Sequence, residues 1–113
     1  MRFIGGVRQG ALNISWPFVA LSVDHHEVSI NVRFGWLGRI MRPWNANLTQ
    51  LVAVQAIGYI PLFTSGVGFV DSEGSRVIFW TAKRGKLLNE LASMGVTVQR
   101  SPRTVRSFRK STN

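Results

Sequence analysis

Apolar and polar residues alternate through Val28-Ser-Ile-Asn-Val-Arg-Phe34. A period of two predicts a strand with Val28, Ile30, Val32 and Phe34 on one buried face. Trp16 to Val23 predicts another strand before it, with Asp24-His25-His26-Glu27 as the hairpin connection. Gly35 then leads into Trp36-Leu-Gly-Arg-Ile-Met-Arg42, and Asn45-Ala-Asn47 marks a turn ahead of Leu48 to Ile57. Short strands follow at Ile60–Phe63, Gly66–Val70 and Arg76–Trp80, the last two separated by the turn Asp71-Ser-Glu-Gly-Ser75. Strands at intervals of about ten residues predict an antiparallel barrel or sandwich.

The period changes once. Between Lys83 and Met94 the apolar residues are Leu87, Leu88, Leu91 and Met94, one stripe on a helix, with Lys83, Lys86 and Glu90 left to water. Thr81 is a suitable N-cap, and Gly95 a suitable stop, because glycine accepts the left-handed conformation that ends many helices. Val96 is then expected to fold back against Leu91. The pattern amounts to roughly seven strands and one late helix, with no internal repeat.

Composition narrows this picture. The chain has 113 residues, 45% of them hydrophobic, enough for one domain with one core. It has no cysteine, which removes disulfides, thiolate metal sites and a cysteine nucleophile and fits a reducing cytoplasm. No apolar run approaches the roughly 20 residues of a spanning helix, and the N-terminal stretch is interrupted by Arg8, Gln9, Asn13 and Ser15. Fourteen Lys and Arg against five acids give a formal charge of +9. Residues 1–99 hold nine bases and five acids, whereas residues 100–113 hold five bases and no acid. Such asymmetry favours an anionic partner without choosing among nucleic acid, membrane and acidic protein.

Ala11-Leu-Asn-Ile-Ser-Trp-Pro-Phe-Val-Ala-Leu-Ser-Val23, followed by Arg76-Val-Ile-Phe-Trp80 and Leu87-Leu-Asn-Glu-Leu-Ala-Ser-Met-Gly-Val96, resembles the pleckstrin-homology-like superfamily. In particular it looks like small uncharacterised actinobacterial and actinophage proteins that carry this domain. The resemblance covers roughly residues 5–98 and rests on structural motifs, so it bears on fold more than on function. It implies a mainly β domain over residues 1–99, a partly open barrel of antiparallel strands with a C-terminal helix over one end. Members that bind phosphoinositides carry lysines and arginines along the first two strands and their connection. Here that connection is read as Asp24-His25-His26-Glu27, whose carboxylates repel phosphate, so specific phosphoinositide binding is not expected. A scaffold for peptides and protein surfaces remains.

Candidate sites divide into four. His25 and His26 with Asp24 and Glu27 are too few and too divergent for a zinc site, which needs three or four converging ligands, and hairpin residues of mixed polarity explain them more simply. No nucleophile stands beside a base, no Gly-x-Ser-x-Gly elbow occurs, and Gly5-Gly6 lacks a phosphate-cradling pattern, so neither catalysis nor a cofactor nor a metal is expected. Lys83, Arg84 and Lys86 lie in the predicted first helical turn, against the usual preference for acids there, and either bind an anion or are simply solvated. Arg39 and Arg42 form a secondary patch with Trp36 and Trp44, provided the tryptophans are exposed rather than in the core.

The last segment, RSPRTVRSFRKSTN, carries Arg100, Arg103, Arg106, Arg109 and Lys110. On an α-helix a step of three advances about 300°, so four arginines drift through half a circle, whereas polyproline II aligns them along one edge. Pro102 disfavours a helical Ser101, and no acid offers an i,i+4 pair. Residues 100–113 are therefore expected to be a disordered basic tail. Five phosphates neutralised on duplex DNA give a salt slope of about −4.5. The sequence reading is a non-catalytic binding or adaptor module recognising a protein partner, cytoplasmic or peripheral at an anionic membrane surface. The alternative is a nucleic-acid-associated protein gripping phosphates through the tail and the 83–86 cluster.

Overall fold

Among the described residues eight strands lie in one sheet: β1 (Arg2–Gln9), β2 (Leu12–Val23), β3 (Glu27–Val32), β4 (Trp44–Asn47), β5 (Leu51–Ile57), β6 (Gly66–Asp71), β7 (Arg76–Trp80) and β8 (Gln99–Arg103). Their order is β4-β3-β2-β1-β7-β6-β5-β8, antiparallel throughout except that β8 runs parallel to β5. The computed structural model describes residues 1–36, 43–58 and 65–110, with side chains as far as Phe108. The expected strand Ile60–Phe63 lies outside the described residues.

The sheet is rolled. β4 and β6 stand five places apart, which in a flat sheet would separate them by about 24 Å. Instead the rings of Trp44 and Phe69 lie 5.5 Å apart, so the two halves of the sheet face each other across one core. Alternate residues fill it: Phe3 and Val7 from β1, Val28 and Ile30 from β3, Val54 and Ala56 from β5, Val67 and Phe69 from β6, Val77 and Phe79 from β7. The expected burial of Val28 and Ile30 holds, whereas Val32 is half-buried and Phe34 is exposed.

The sequence pattern did not predict β1, because Gly5-Gly6 interrupts its alternation. A Cβ on Gly5 would run into the Trp80 carbonyl, and one on Gly6 into that of Ile14. The glycines let β1 lie tightly between β7 and β2, so they are packing residues. Asn45-Ala-Asn47, expected as a turn, belongs to β4, where Trp44 and Ala46 point into the core and the asparagines point out. A short 3-10 turn, Leu48–Gln50, separates it from β5.

Helix α1 (Arg84–Ser93) buries the expected Leu87, Leu88 and Leu91 against the core. Its end is the expected glycine stop: Gly95 has φ of 88°, the Gly95 N–H donates to the Ala92 carbonyl (3.0 Å) and the Val96 N–H to the Leu91 carbonyl (3.1 Å). Val96 packs on the core cluster that includes Leu91. Thr81 acts before the helix rather than as its cap, its Oγ1 accepting from the Lys83 N–H at 3.0 Å.

The expected disordered tail is instead folded as far as it is described. β8 pairs with β5, Gly58 N–H donates to the Arg103 carbonyl (2.7 Å), and the buried Gln55 amide donates to the Ser101 carbonyl. Helix α2 (Val105–Lys110) follows, with the Thr104 hydroxyl accepting from the Ser107 N–H at 3.0 Å. Its Phe108 is 2% exposed, packed with Ile57, Val70 and Ile78 on the face of the sheet opposite the main core. Gly68 makes the room. A Cβ there would lie 2.6 to 2.8 Å from three carbons of the Phe108 ring. Weak local propensity is overridden by this buried aromatic contact together with the pairing to β5.

Candidate functional site

Two of the three bases expected at the start of α1 share a cleft. Lys83 and Lys86 line it with Arg2 at the start of β1, Ile4, Thr81 and the indole of Trp16. The cleft holds about 360 Å³, and none of its described lining residues is acidic. Trp16 is 66% exposed and reaches it from the irregular part of β2, where the register with β1 shifts opposite Gly5 and Val7. β1 and the link after β7 are neighbours in the sheet, which explains why Arg2 joins residues more than 80 positions later in sequence.

Arg84 is not part of this group. Its Nη1 donates to the carbonyls of Ile57 and Gly58, both at 2.8 Å, and ties α1 to the end of β5. Those two bonds occupy Nη1 and hold this arginine at the end of β5, outside the cleft that Lys83 and Lys86 line.

A second basic cleft, of about 280 Å³, lies on the outer face of the sheet and was not anticipated from the sequence. Arg8 and Arg76 line it with Gly10, Gly74 and Phe108. Arg76 donates from Nη1 to the Phe108 carbonyl (3.1 Å) and lies 5.4 Å from the ring centroid. The Arg8 Nε is buried without a hydrogen-bond partner among the described residues. No single stretch of sequence signals this cleft, because its walls come from β1, the β6–β7 turn and α2.

Aromatic residues also gather on the surface. Phe18 and Phe34 meet edge to face at 5.8 Å, and Arg33 lies over Phe34 at 5.6 Å while donating to the Pro17 carbonyl at 3.0 Å. Phe34 is 41% exposed and Trp36 67%. Of the two tryptophans expected beside Arg39 and Arg42, Trp36 thus meets the condition of exposure and Trp44 does not. Arg39 and Arg42 themselves lie outside the described residues.

Arg100 and Arg103 are exposed on β8 and Arg106 on α2, while the side chains of Arg109 and Lys110 lie outside the described residues. His25 and His26 are exposed with ring centroids 4.1 Å apart. Asp24 accepts through Oδ1 from the backbone N–H groups of His26 (2.7 Å) and Glu27 (2.8 Å), so its carboxylate caps the hairpin turn. The Glu27 N–H, then that of His26, hold its pKa below the ordinary aspartate value.

That hairpin joins β2 to β3. The first two strands are joined at Gly10-Ala11, with Arg8 beside them, so the carboxylates of Asp24 and Glu27 stand at a different connection from the one assumed in the phosphoinositide argument. Among the described residues no helix is long and apolar enough to cross a membrane. The chain matches no protein-family model, no curated protein and no solved structure.

Proposed function

We propose that this chain is a non-catalytic binding module of pleckstrin-homology-like architecture that recognises a protein partner. What supports the architecture is the strand order, with β1 between β2 and β7, together with one helix directly after β7 that buries its leucines in the core. The observation that carries recognition is the exposed aromatic group of Phe34 and Trp36, braced by Phe18 and Arg33. Tryptophan and arginine are enriched at binding hot spots, and tryptophan buries much area for little lost conformational freedom. The +9 charge adds attraction to an anionic partner and speeds its approach.

The test compares wild type with the Phe34→Ser/Trp36→Ser variant for capture of proteins from nuclease-treated lysate. A defined protein retained by wild type and lost by the variant supports the reading. Capture unchanged in the variant, or abolished by nuclease alone, overturns it. A nucleic-acid reading is favoured by the exposed Arg100, Arg103 and Arg106, and nuclease-sensitive capture is its signature.

A further inference from the structure

Three cations converge on the cleft between the start of β1 and the start of α1. The side chains of Arg2, Lys83 and Lys86 have no ion-pair partner among the described residues, and the lining contains no acid to neutralise them. Three uncompensated positive charges around one concavity raise the local concentration of anions, and phosphate oxygens accept from both guanidinium and ammonium donors. Arg2 comes from a strand and the lysines from the link and first turn of a helix, so the group is assembled by the fold rather than by one charged stretch.

The second observation is the indole at the edge of this cleft. Trp16 leaves 66% of its surface in water beside the cationic wall, although a tryptophan in a 113-residue domain is ordinarily a core residue. An exposed aromatic face beside phosphate-seeking cations is the pairing that single-stranded nucleic-acid sites use: the base stacks while the phosphate is held. The volume of about 360 Å³ falls at the lower end of the range for small-ligand sites, roughly 300–1,000 Å³. A group of nucleotide size fits that space.

We propose that the cleft lined by Arg2, Trp16, Lys83 and Lys86 binds a nucleotide unit, with the base stacked on Trp16 and the phosphate held by the three cations. This cleft shares no lining residue with the Phe34/Trp36 group and does not depend on the protein-partner reading. The unit is supplied either by a free nucleotide or by a residue of a single strand.

The experiment uses the full chain and measures anisotropy of a labelled ten-nucleotide oligothymidine, an abasic strand with the same number of phosphates, and competition by ATP. Wild type binds the oligothymidine about tenfold more tightly than the abasic strand, the preference that stacking of one base supplies. Trp16→Ala removes the preference and leaves abasic affinity unchanged, while Trp16→Phe keeps most of it, which separates stacking from any loss of fold. Lys83→Gln/Lys86→Gln weakens both strands and reduces the magnitude of the salt slope by up to about 0.7, the share of the one phosphate they help to hold on a single strand. Competition by ATP identifies the free nucleotide as sufficient, and binding of the strand without such competition identifies the polymer. Equal affinity of wild type for the two strands, or a preference that survives Trp16→Ala, overturns the proposal.

Discussion

The contact between Phe108 and Gly68 makes the strongest quantitative test of this structure. Phe108→Ala removes a ring that is 2% exposed, and phenylalanine truncations at buried sites cost about 3–5 kcal/mol. The lower figure applies here, because α2 is six residues long and can undock, which caps the cost at the free energy of docking. For 113 residues the unfolding entropy is about 0.24 kcal/mol/K, so a loss of about 3 kcal/mol lowers Tm by about 12 °C. Gly68→Ala attacks the same contact from below. Its Cβ would stand 2.6 Å from the ring Cζ, far inside the 3.5–4.0 Å of ordinary carbon contact, so the ring must leave its slot. That variant is expected to lose about 2–3 kcal/mol. In the Phe108→Ala background the clash is gone, and Gly68→Ala costs nothing or stabilises slightly through the stiffer backbone. Urea denaturation of the four proteins yields a coupling energy of about 2–3 kcal/mol. Hydrogen exchange at the Gly58 amide, which donates to Arg103, accelerates in both single variants. Additivity of the two substitutions within about 0.5 kcal/mol would refute the docking of the tail on Gly68.

Two further outcomes follow from local geometry. Arg84→Met removes both 2.8 Å bonds to the Ile57 and Gly58 carbonyls and is expected to cost about 1.5–3 kcal/mol in urea denaturation, with oligonucleotide affinity unchanged. Asp24 has its folded pKa lowered, so its contribution to stability is present above the unfolded value and is lost as pH falls through the folded one. A carbon-detected NMR titration should place its carboxyl midpoint below that of an ordinary aspartate, and a midpoint at or above it contradicts the cap.

How much of this was legible in the sequence depends on how local the cause was. The leucines at 87, 88 and 91 and the glycine at 95 specify a helix and its end through neighbours within one or two turns, and the fold uses them as read. The alternation Trp44-Asn-Ala-Asn47 was equally visible, but two asparagines suggested a turn where burial of Trp44 against Phe69 from β6 imposes a strand. β1 was hidden because its central glycines make sense only once β2 and β7 press against it. The cleft of Arg2, Trp16, Lys83 and Lys86 was half legible: the lysines stood out by charge, while their partners come from strands brought near by the sheet. Arg84 stands beside those lysines in sequence but bonds carbonyls 26 and 27 residues away, a tie that local sequence does not show.

The folded tail changes what the regular arginines can do. Between Gln99 and Arg103 the pairing with β5 is irregular, four residues of β8 spanning two of β5, so the exposed Arg100 and Arg103 do not follow a regular strand alternation. Arg106 then sits on α2, whose direction is fixed by Phe108. The spacing of three, which would align cations on a polyproline II edge, here runs through an irregular strand and into a helix. Release of Phe108 would restore a flexible row of arginines, at the cost of exposing Ile57, Val70 and Ile78. Packing on Gly68 and electrostatic reach of the tail are therefore opposed. While Phe108 is docked, the described arginines of the tail take their positions from β8 and α2 rather than from the repeat itself.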